Sequence, residues 1–190
     1  MYTIDDTGGR VAVLGGFGFG APVAVSLLEE LIAFGVRRFV SFGTAGTLQK
    51  DIDIGSLIVC DRAIRDEGTS HHYVEPSKYA YASERLTGRL KEALQRHKQE
   101  YIVGTSWTID APYRETVVEA RLYQEEGVAA VDMEASALFA VAQYRGVELG
   151  AMFMVSDSLA ELEWRPEFHK RNTMEELDAI YKAAIAALLG

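Results

Sequence analysis

Between residues 128 and 144 the apolar pattern of this chain changes its period, and that change restricts the fold more than any other feature. Residues 128–131 are a short apolar run behind Gly127, which reads as a strand entering a core. From Met133 the apolar positions follow helical spacing, through Ala137, Leu138, Val141, Ala142 and Tyr144. Asp132 and Glu134 therefore stand where a strand ends and a helix starts. Residues 149–155 form a second buried-looking strand, with Ser156 and Asp157 at its end. In open α/β sheets ligands bind at such strand ends, because the loops there converge. Two acidic strand ends make this the candidate active site.

The rest of the chain alternates in the same way. Strands are expected over residues 10–15, 38–42, 57–63 and 101–108. Helices are expected over 22–34, 83–98, 115–126 and 173–189. Pro22 suits a first helical turn, where its missing N–H matters least. Thr173 and Glu176 have capping-box spacing at the start of the last helix. Strands alternating with helices indicate a layered α/β fold. The 190 residues, 48% of them hydrophobic, can bury one substantial core, so residues 1–190 read as a single domain.

Several functional classes are disfavoured. No run of eighteen apolar residues occurs, so no membrane span is expected. The opening Met1-Tyr2-Thr3-Ile4-Asp5-Asp6 lacks the basic start and apolar stretch of a secretory signal, which makes cytoplasm the default compartment. Cys60 is alone, so neither a disulfide framework nor a cysteine zinc cluster is expected, and it reads as a reduced, buried thiol. The formal charge of −9 disfavours nucleic acid and membrane surfaces as partners, but not a small anion held in a local pocket. His71 and His72 are adjacent, so in an extended chain they point to opposite sides. With no third ligand at a usual spacing, no metal is expected, and residues 65–73 read as a polar loop near the pocket or a subunit contact.

Most of the individual motifs allow two readings. Gly16, Gly18 and Ala21 fit a loose dinucleotide fingerprint, but the second strand ends Val40-Ser41-Phe42-Gly43 without the acid that a ribose diol requires. A glycine turn that lets backbone approach a small ligand is the better account. Gly43-Thr44-Ala45-Gly46 has the composition of a tight turn after a strand. Glu134 is either a helix N-terminal acid favoured by the dipole or a carboxylate accepting from two adjacent hydroxyls, with Met133 as a deformable apolar contact. Asp157 is either an N-cap or, if burial raises its proton affinity, a general acid. Residues 107–114 are either a structural corner or a segment presenting the rings of Trp107 and Tyr113.

Four ordered motifs together resemble the nucleoside phosphorylase family, which includes purine nucleoside phosphorylase, uridine phosphorylase and methylthioadenosine nucleosidase. They are Gly16-Phe17-Gly18-Phe19-Gly20-Ala21-Pro22; Gly43-Thr44-Ala45-Gly46 with Gly55-Ser56-Leu57-Ile58-Val59 behind it; Asp132-Met133-Glu134-Ala135; and Ser156-Asp157. The resemblance runs from about Val11 to the end. It implies a three-layer fold with a mixed, partly barrel-like central sheet flanked by helices. It further implies cleavage of an N-glycosidic bond with phosphate as co-substrate, giving free base and ribose 1-phosphate with no cofactor. Met133, Glu134 and Phe19 would contact ribose, Gly43 and Thr44 phosphate, and Trp107, Tyr113 and Asp132 the base. Asp157 would protonate the leaving base, which favours a purine, since the uridine-specific branch generally departs from aspartate there. A basic residue among Arg165, Lys170 and Arg171 would support Asp157.

Two departures are visible. Ser41 stands where the family's phosphorylases often carry an arginine. Family members also usually begin with a further strand and glycine turn, whereas this chain opens almost at the second strand, as a polypeptide without its natural start or as a shortened member. Hydrolysis on the same scaffold and noncatalytic nucleoside binding therefore stay beside phosphorolysis as alternatives. The family's architecture implies a homo-oligomer, a dimer or a hexamer.

Overall fold

The computed structural model describes residues 1–166 and 173–190. The chain begins with two short strands, β1 (Tyr2–Thr3) and β2 (Ala12–Val13), paired antiparallel in a sheet of their own. The strand expected over residues 10–15 is thus much shorter than its pattern implied and lies outside the central sheet. Between residues 8 and 19 only Val11 is buried, so this apolar run is not packed into the core as a central strand would be.

The central sheet comprises β3 (Arg38–Thr47), β4 (Leu57–Asp66), β5 (Tyr79–Tyr81), β6 (Ile102–Ile109), β7 (Ala130–Asp132), β8 (Glu148–Ser158) and β9 (Arg165–Pro166). Its order is β5-β4-β6-β7-β3-β8-β9, with a further pairing of β4 to β8. That extra pairing, Leu57 opposite Met154 through Cys60 opposite Ala151, joins β4, β6, β7, β3 and β8 into a five-stranded ring. β4, β6 and β7 run parallel to one another, as do β3 and β8, while the contacts between the two groups are antiparallel. The sheet is mixed and partly barrel-like, as the sequence resemblance implied.

Among the described residues, five α-helices cover it: α1 (Ala21–Ala33), α2 (Glu84–Arg96), α3 (Val117–Glu125), α4 (Ala135–Arg145) and α5 (Thr173–Leu189). Successive side chains of a strand face opposite sides, and β8 shows what this does here. Ala151, Phe153 and Val155 join one cluster with Val25 and Leu28 of α1 and Leu138 and Phe139 of α4. Met152 and Met154 join another, with Leu86 and Leu90 of α2 and Ile180 and Ala183 of α5. A strand covered on both faces reads as a continuous apolar run, not an alternating one. Eight consecutive residues of α4, from Ala135 to Ala142, are buried, so this helix lies within the packing and not upon it.

Local signals place the helix ends. Pro22 sits in the first turn of α1. Thr116 and Glu119 form a reciprocal capping box that starts α3 two residues later than the sequence pattern implied. The capping reading for Thr173 concerns a side chain outside the described residues.

Gly104 of β6 tests how tightly the layers fit. A Cβ at this position would lie 2.6 Å from the Cβ of Ala129, which cannot rotate away because its amide is bonded to the Thr105 carbonyl at 2.9 Å. Gly104→Ala should therefore cost about 1–3 kcal/mol of stability. Urea denaturation should show a lower midpoint with an unchanged slope.

Candidate active site

The organising group is Asp132, buried at the end of β7. Its Oδ1 accepts from Ser106 Oγ at 2.7 Å and Thr108 Oγ1 at 2.8 Å, both on β6. Its Oδ2 accepts from the backbone N–H groups of Glu134 at 2.8 Å and Ala135 at 2.6 Å. Those amides belong to the first turn of α4, which has no intrahelical acceptors for them. Thr108 Oγ1 also accepts from the Ser136 amide at 3.0 Å. Burial pushes the Asp132 pKa upward, and the four donors oppose that push. Asp132 was expected to meet the base. The structure places it inside the protein with both oxygens committed to protein donors.

This network fixes the two residues that follow. Met133 and Glu134 are partly buried in the turn between β7 and α4. Glu134 Oε1 accepts from the Gly20 N–H at 2.5 Å, which draws the glycine turn of residues 15–20 against α4. Burial raises the Glu134 pKa, Gly20 opposes the rise, and the charge of Asp132 adds to it. Phe19, next to Gly20, is 74% exposed.

Asp157 arrives from a different strand. A register shift in the β3–β8 ladder leaves Ser156 unpaired and sets Asp157 opposite Gly46. A Cβ on Gly46 would lie 2.9 Å from both Asp157 Oδ2 and Val131 Cγ1. The absence of a side chain at Gly46 therefore lets the Asp157 carboxylate lie beside Val131, one residue before Asp132. Ser156 Oγ donates to Asp157 Oδ1 at 2.7 Å, and Trp164 Nε1 donates to Oδ2 at 2.9 Å. Glu115, half-buried just before α3, lies within reach of the same carboxylate's charge. Its pKa is raised to about 7, by burial first and by the negative charge of Asp157 second.

A further segment is tied to the first turn of α4. Glu67, buried just after β4, accepts from Ser136 Oγ at 2.9 Å and from the amides of Thr69 and Ser70 at 2.6 and 2.9 Å. Buried Arg65 donates to Ser70 Oγ at 2.9 Å and to the carbonyl of Glu75 at 2.8 Å. The Gly68 amide donates to Asp110 Oδ2 at 2.9 Å. The glycine turn and the loop after β4 are thus tied to the first turn of α4, and the loop after β6 to the loop after β4.

Other residues singled out in the sequence lie elsewhere. Gly43 and Thr44 do not form a turn: β3 continues through them to Thr47, with Gly43 opposite Phe153 and exposed Thr44 opposite Met154. The long parallel ladder with β8 overrides the local turn preference. Trp107 is fully buried; its indole N–H donates to Asp66 at 2.8 Å, and its ring packs 4.8 Å from that of Tyr123. It offers no free face. Tyr113, on a short 3₁₀ turn, is 99% exposed. His71 and His72 lie on another such turn, and no group of potential metal ligands occurs among the described residues. Arg165 is exposed on β9, opposite Ser158. Lys170 and Arg171 lie outside the described residues. A cleft of about 810 Å³ opens at the start of β4 and β6, lined by Gly55, Ser56, Lys98, Tyr101 and Glu176, and includes none of the site groups.

Sequence reasoning missed Glu115, Trp164, Glu67 and the steric role of Gly46. None carries a local spacing signal, since each acts on a residue of another strand or loop. Two outcomes follow. Asp132→Asn sets an amide NH₂ against N–H and O–H donors, and should cost about 2–4 kcal/mol in chemical denaturation. Glu115, with its folded pKa above the unfolded value of about 4.5, holds its proton longer in the folded state, so its contribution to stability falls as pH rises from about 4.5 to about 7. Glu115→Gln should flatten that part of the melting-temperature profile. Asp157→Asn should lower the Glu115 midpoint, followed by carboxyl-carbon NMR titration.

Comparison with known proteins gives a consistent picture. The model of the phosphorylase superfamily matches residues 1–189. A guanosine phosphorylase of Halorubrum lacusprofundi is 32% identical over 142 residues, covering 75% of this chain and 59% of the relative. A DeoD-type purine nucleoside phosphorylase of Alkaliphilus metalliredigens is 32% identical, covering 83% of this chain and 68% of the relative. A uridine phosphorylase of Haemophilus influenzae is 28% identical, covering 95% and 77% respectively. The chain thus spans between 59% and 77% of the length of these three relatives. Among solved structures, the P knowlesi homolog of P falciparum PNP superposes with a TM-score of 0.77 at 24% identity, over 93% of this chain and 70% of that one. That likeness concerns the fold.

Proposed function

The chain belongs to the phosphorylase superfamily, and on that premise we propose that it cleaves the N-glycosidic bond of a nucleoside with phosphate, releasing the base and ribose 1-phosphate. The observation that carries this reading is the meeting of two acidic strand ends. Gly46 lets Asp157 of β8 lie beside Val131, and Asp132 holds the following Met133 and Glu134 in a fixed turn.

The chemistry needs two acidic groups in different roles. As the glycosidic bond breaks, the sugar gains positive charge and the base negative charge. Glu134 accepts hydrogen bonds from the two ribose hydroxyls and stabilises the developing oxocarbenium electrostatically. Its lone pairs exceed the one hydrogen bond it accepts from Gly20, so two hydroxyls can be accommodated. Met133 and exposed Phe19 close on the sugar face. The Asp157 carboxyl delivers a proton to N7 of a purine. Thr44 and Gly43 on β3 take the phosphate side. For the base, exposed Tyr113 is the candidate contact of the two rings first considered, since Trp107 is enclosed. No organic cofactor or metal enters this reaction.

Purine substrates are the favoured class, because a carboxyl group at position 157 matches a leaving group protonated at nitrogen. We place residues 1–190 in one such domain acting in nucleoside salvage in the cytoplasm. No helix among the described residues is long and apolar enough to cross a membrane. Phe17 and Phe19, exposed beside the Glu134 turn, support a homo-oligomer in which a second copy covers them.

Release of free base from inosine, guanosine, adenosine and uridine, with and without phosphate, tests the reading. Phosphate-dependent release is the expected result, release indifferent to phosphate identifies a hydrolase, and no release from a folded protein supports a noncatalytic binding role. Asp157→Asn should slow turnover of a purine nucleoside by roughly 10²- to 10⁴-fold. Full activity in that variant sinks the acid assignment.

A further inference from the structure

We propose that Trp164 is the positioning residue for Asp157, orienting its carboxyl group with a neutral indole N–H. The inference rests on the reading of Asp157 as the general acid and adds the group that aims it.

The geometry of the β8–β9 hairpin makes the argument. β8 ends with Asp157 and Ser158, and β9 folds back upon them, Pro166 opposite Asp157 and Arg165 opposite Ser158. Trp164 immediately precedes β9, so the return of the chain brings its indole to the acid, where Nε1 meets Oδ2 at 2.9 Å. The intervening loop is anchored along its length. The Leu159 amide donates to the Thr47 carbonyl at 2.9 Å, the Leu162 amide to the Leu159 carbonyl at 2.8 Å, and Lys50 pairs with Glu161 at 3.0 Å. Leu162 takes a left-handed backbone conformation, φ 62°, where the loop reverses. Trp164 remains 59% exposed, so burial contributes little to its placement.

The two donors divide the carboxyl group between them, Ser156 on Oδ1 and Trp164 on Oδ2. One hydrogen bond at each oxygen fixes the plane of the group. A carboxylate has about four lone-pair sites, so one left open by these two donors can carry the proton that passes to N7. Gly46 closes on the Oδ2 side as well. Among the charged groups nearby, Glu115 lies within reach of the charge of Asp157, while Arg165, Lys50 and Glu161 lie along the hairpin and its anchor. Glu115 brings negative charge only above about pH 7, and among the described residues both groups that donate to Asp157 are neutral.

Neutral donors suit an acid. A guanidinium in the same place would stabilise the carboxylate strongly and weaken its proton donation. The indole holds direction with less of that penalty. In the step itself the proton passes from the Asp157 carboxyl to N7 of the base, the glycosidic electron pair passes to the base, and a phosphate oxygen bonds to the sugar carbon. Asp157 is left as a carboxylate held by Ser156 and Trp164.

Two substitutions with opposite electrostatic effects test this. Trp164→Phe keeps an aromatic ring and removes the donor, whereas Trp164→Arg supplies donors with a charge. For purine nucleoside cleavage, Trp164→Phe should lower kcat by about 10- to 100-fold, the range for one hydrogen bond to a charged group, with a smaller change in KM. Its alkaline limb in the pH–rate profile should move to higher pH, and that of Trp164→Arg to lower pH. Limbs that stay with the wild type, or move together, overturn the proposal, because a structural role has no reason to separate them. Should the wild type release no base, the functional reading falls and fluorescence decides the proposal alone. Emission of Trp164, taken by difference from Trp164→Phe, should change with pH in wild type and lose that change in Asp157→Asn. An emission indifferent to pH, or unaffected by Asp157→Asn, overturns it.

Discussion

The buried carboxylate of Asp132 is the interaction on which the arrangement of the site depends. It gathers hydroxyls from β6 and amides from α4 onto one group at the tip of β7. Burying a carboxylate costs several kcal/mol unless donors replace its hydration. Here four donors do so, and each comes from a segment that would otherwise leave a polar group unsatisfied. The first turn of α4 is therefore held at a set position relative to β6, and Glu134 with it. An apolar side chain at 132 would leave two amides and two hydroxyls without acceptors.

Topology supplies the second requirement. Asp157 is 23 residues beyond Glu134 in the chain, and α4 intervenes. The strands that lead to them, β7 and β8, are brought together because β3 lies between the two and contacts both. Gly46 on β3 is the point where that sandwiching strand thins enough for the Asp157 carboxylate to reach Val131. The ring closed by β4 and β8 holds this geometry from the far side, with helices packed on both faces. Close packing leaves such a ring little freedom to adjust.

The electrostatics of the region follow from that crowding. Carboxyl groups lie close in two pairs, Asp132 with Glu134 and Glu115 with Asp157, on a chain with a formal charge of −9. Burial raises the pKa of Asp132, Glu134 and Glu115, and like charge adds to the rise at Glu134 and Glu115. Such a neighbourhood favours a group carrying positive charge and favours retention of a proton on one of its members. Both properties fit bond cleavage through a cationic sugar with protonation of the departing base.

The amino-acid sequence by itself determined the alternation of strands and helices, the layered fold class and the placement of Asp132, Glu134 and Asp157 at strand ends. Those are local matters: a change of hydrophobic period and the residues at its boundary suffice to show them. The ordered motifs also sufficed to identify the family. Tertiary structure decided what no local pattern encodes. Gly43-Thr44-Ala45-Gly46 reads locally as a turn, yet ten residues paired along β8 make it strand. Trp107 reads as a ring available to a ligand, yet packing against Tyr123 encloses it, while Trp164, silent in the sequence, reaches Asp157. Whether a side chain is presented or enclosed, and which partner meets it, depends on contacts between segments far apart in the chain.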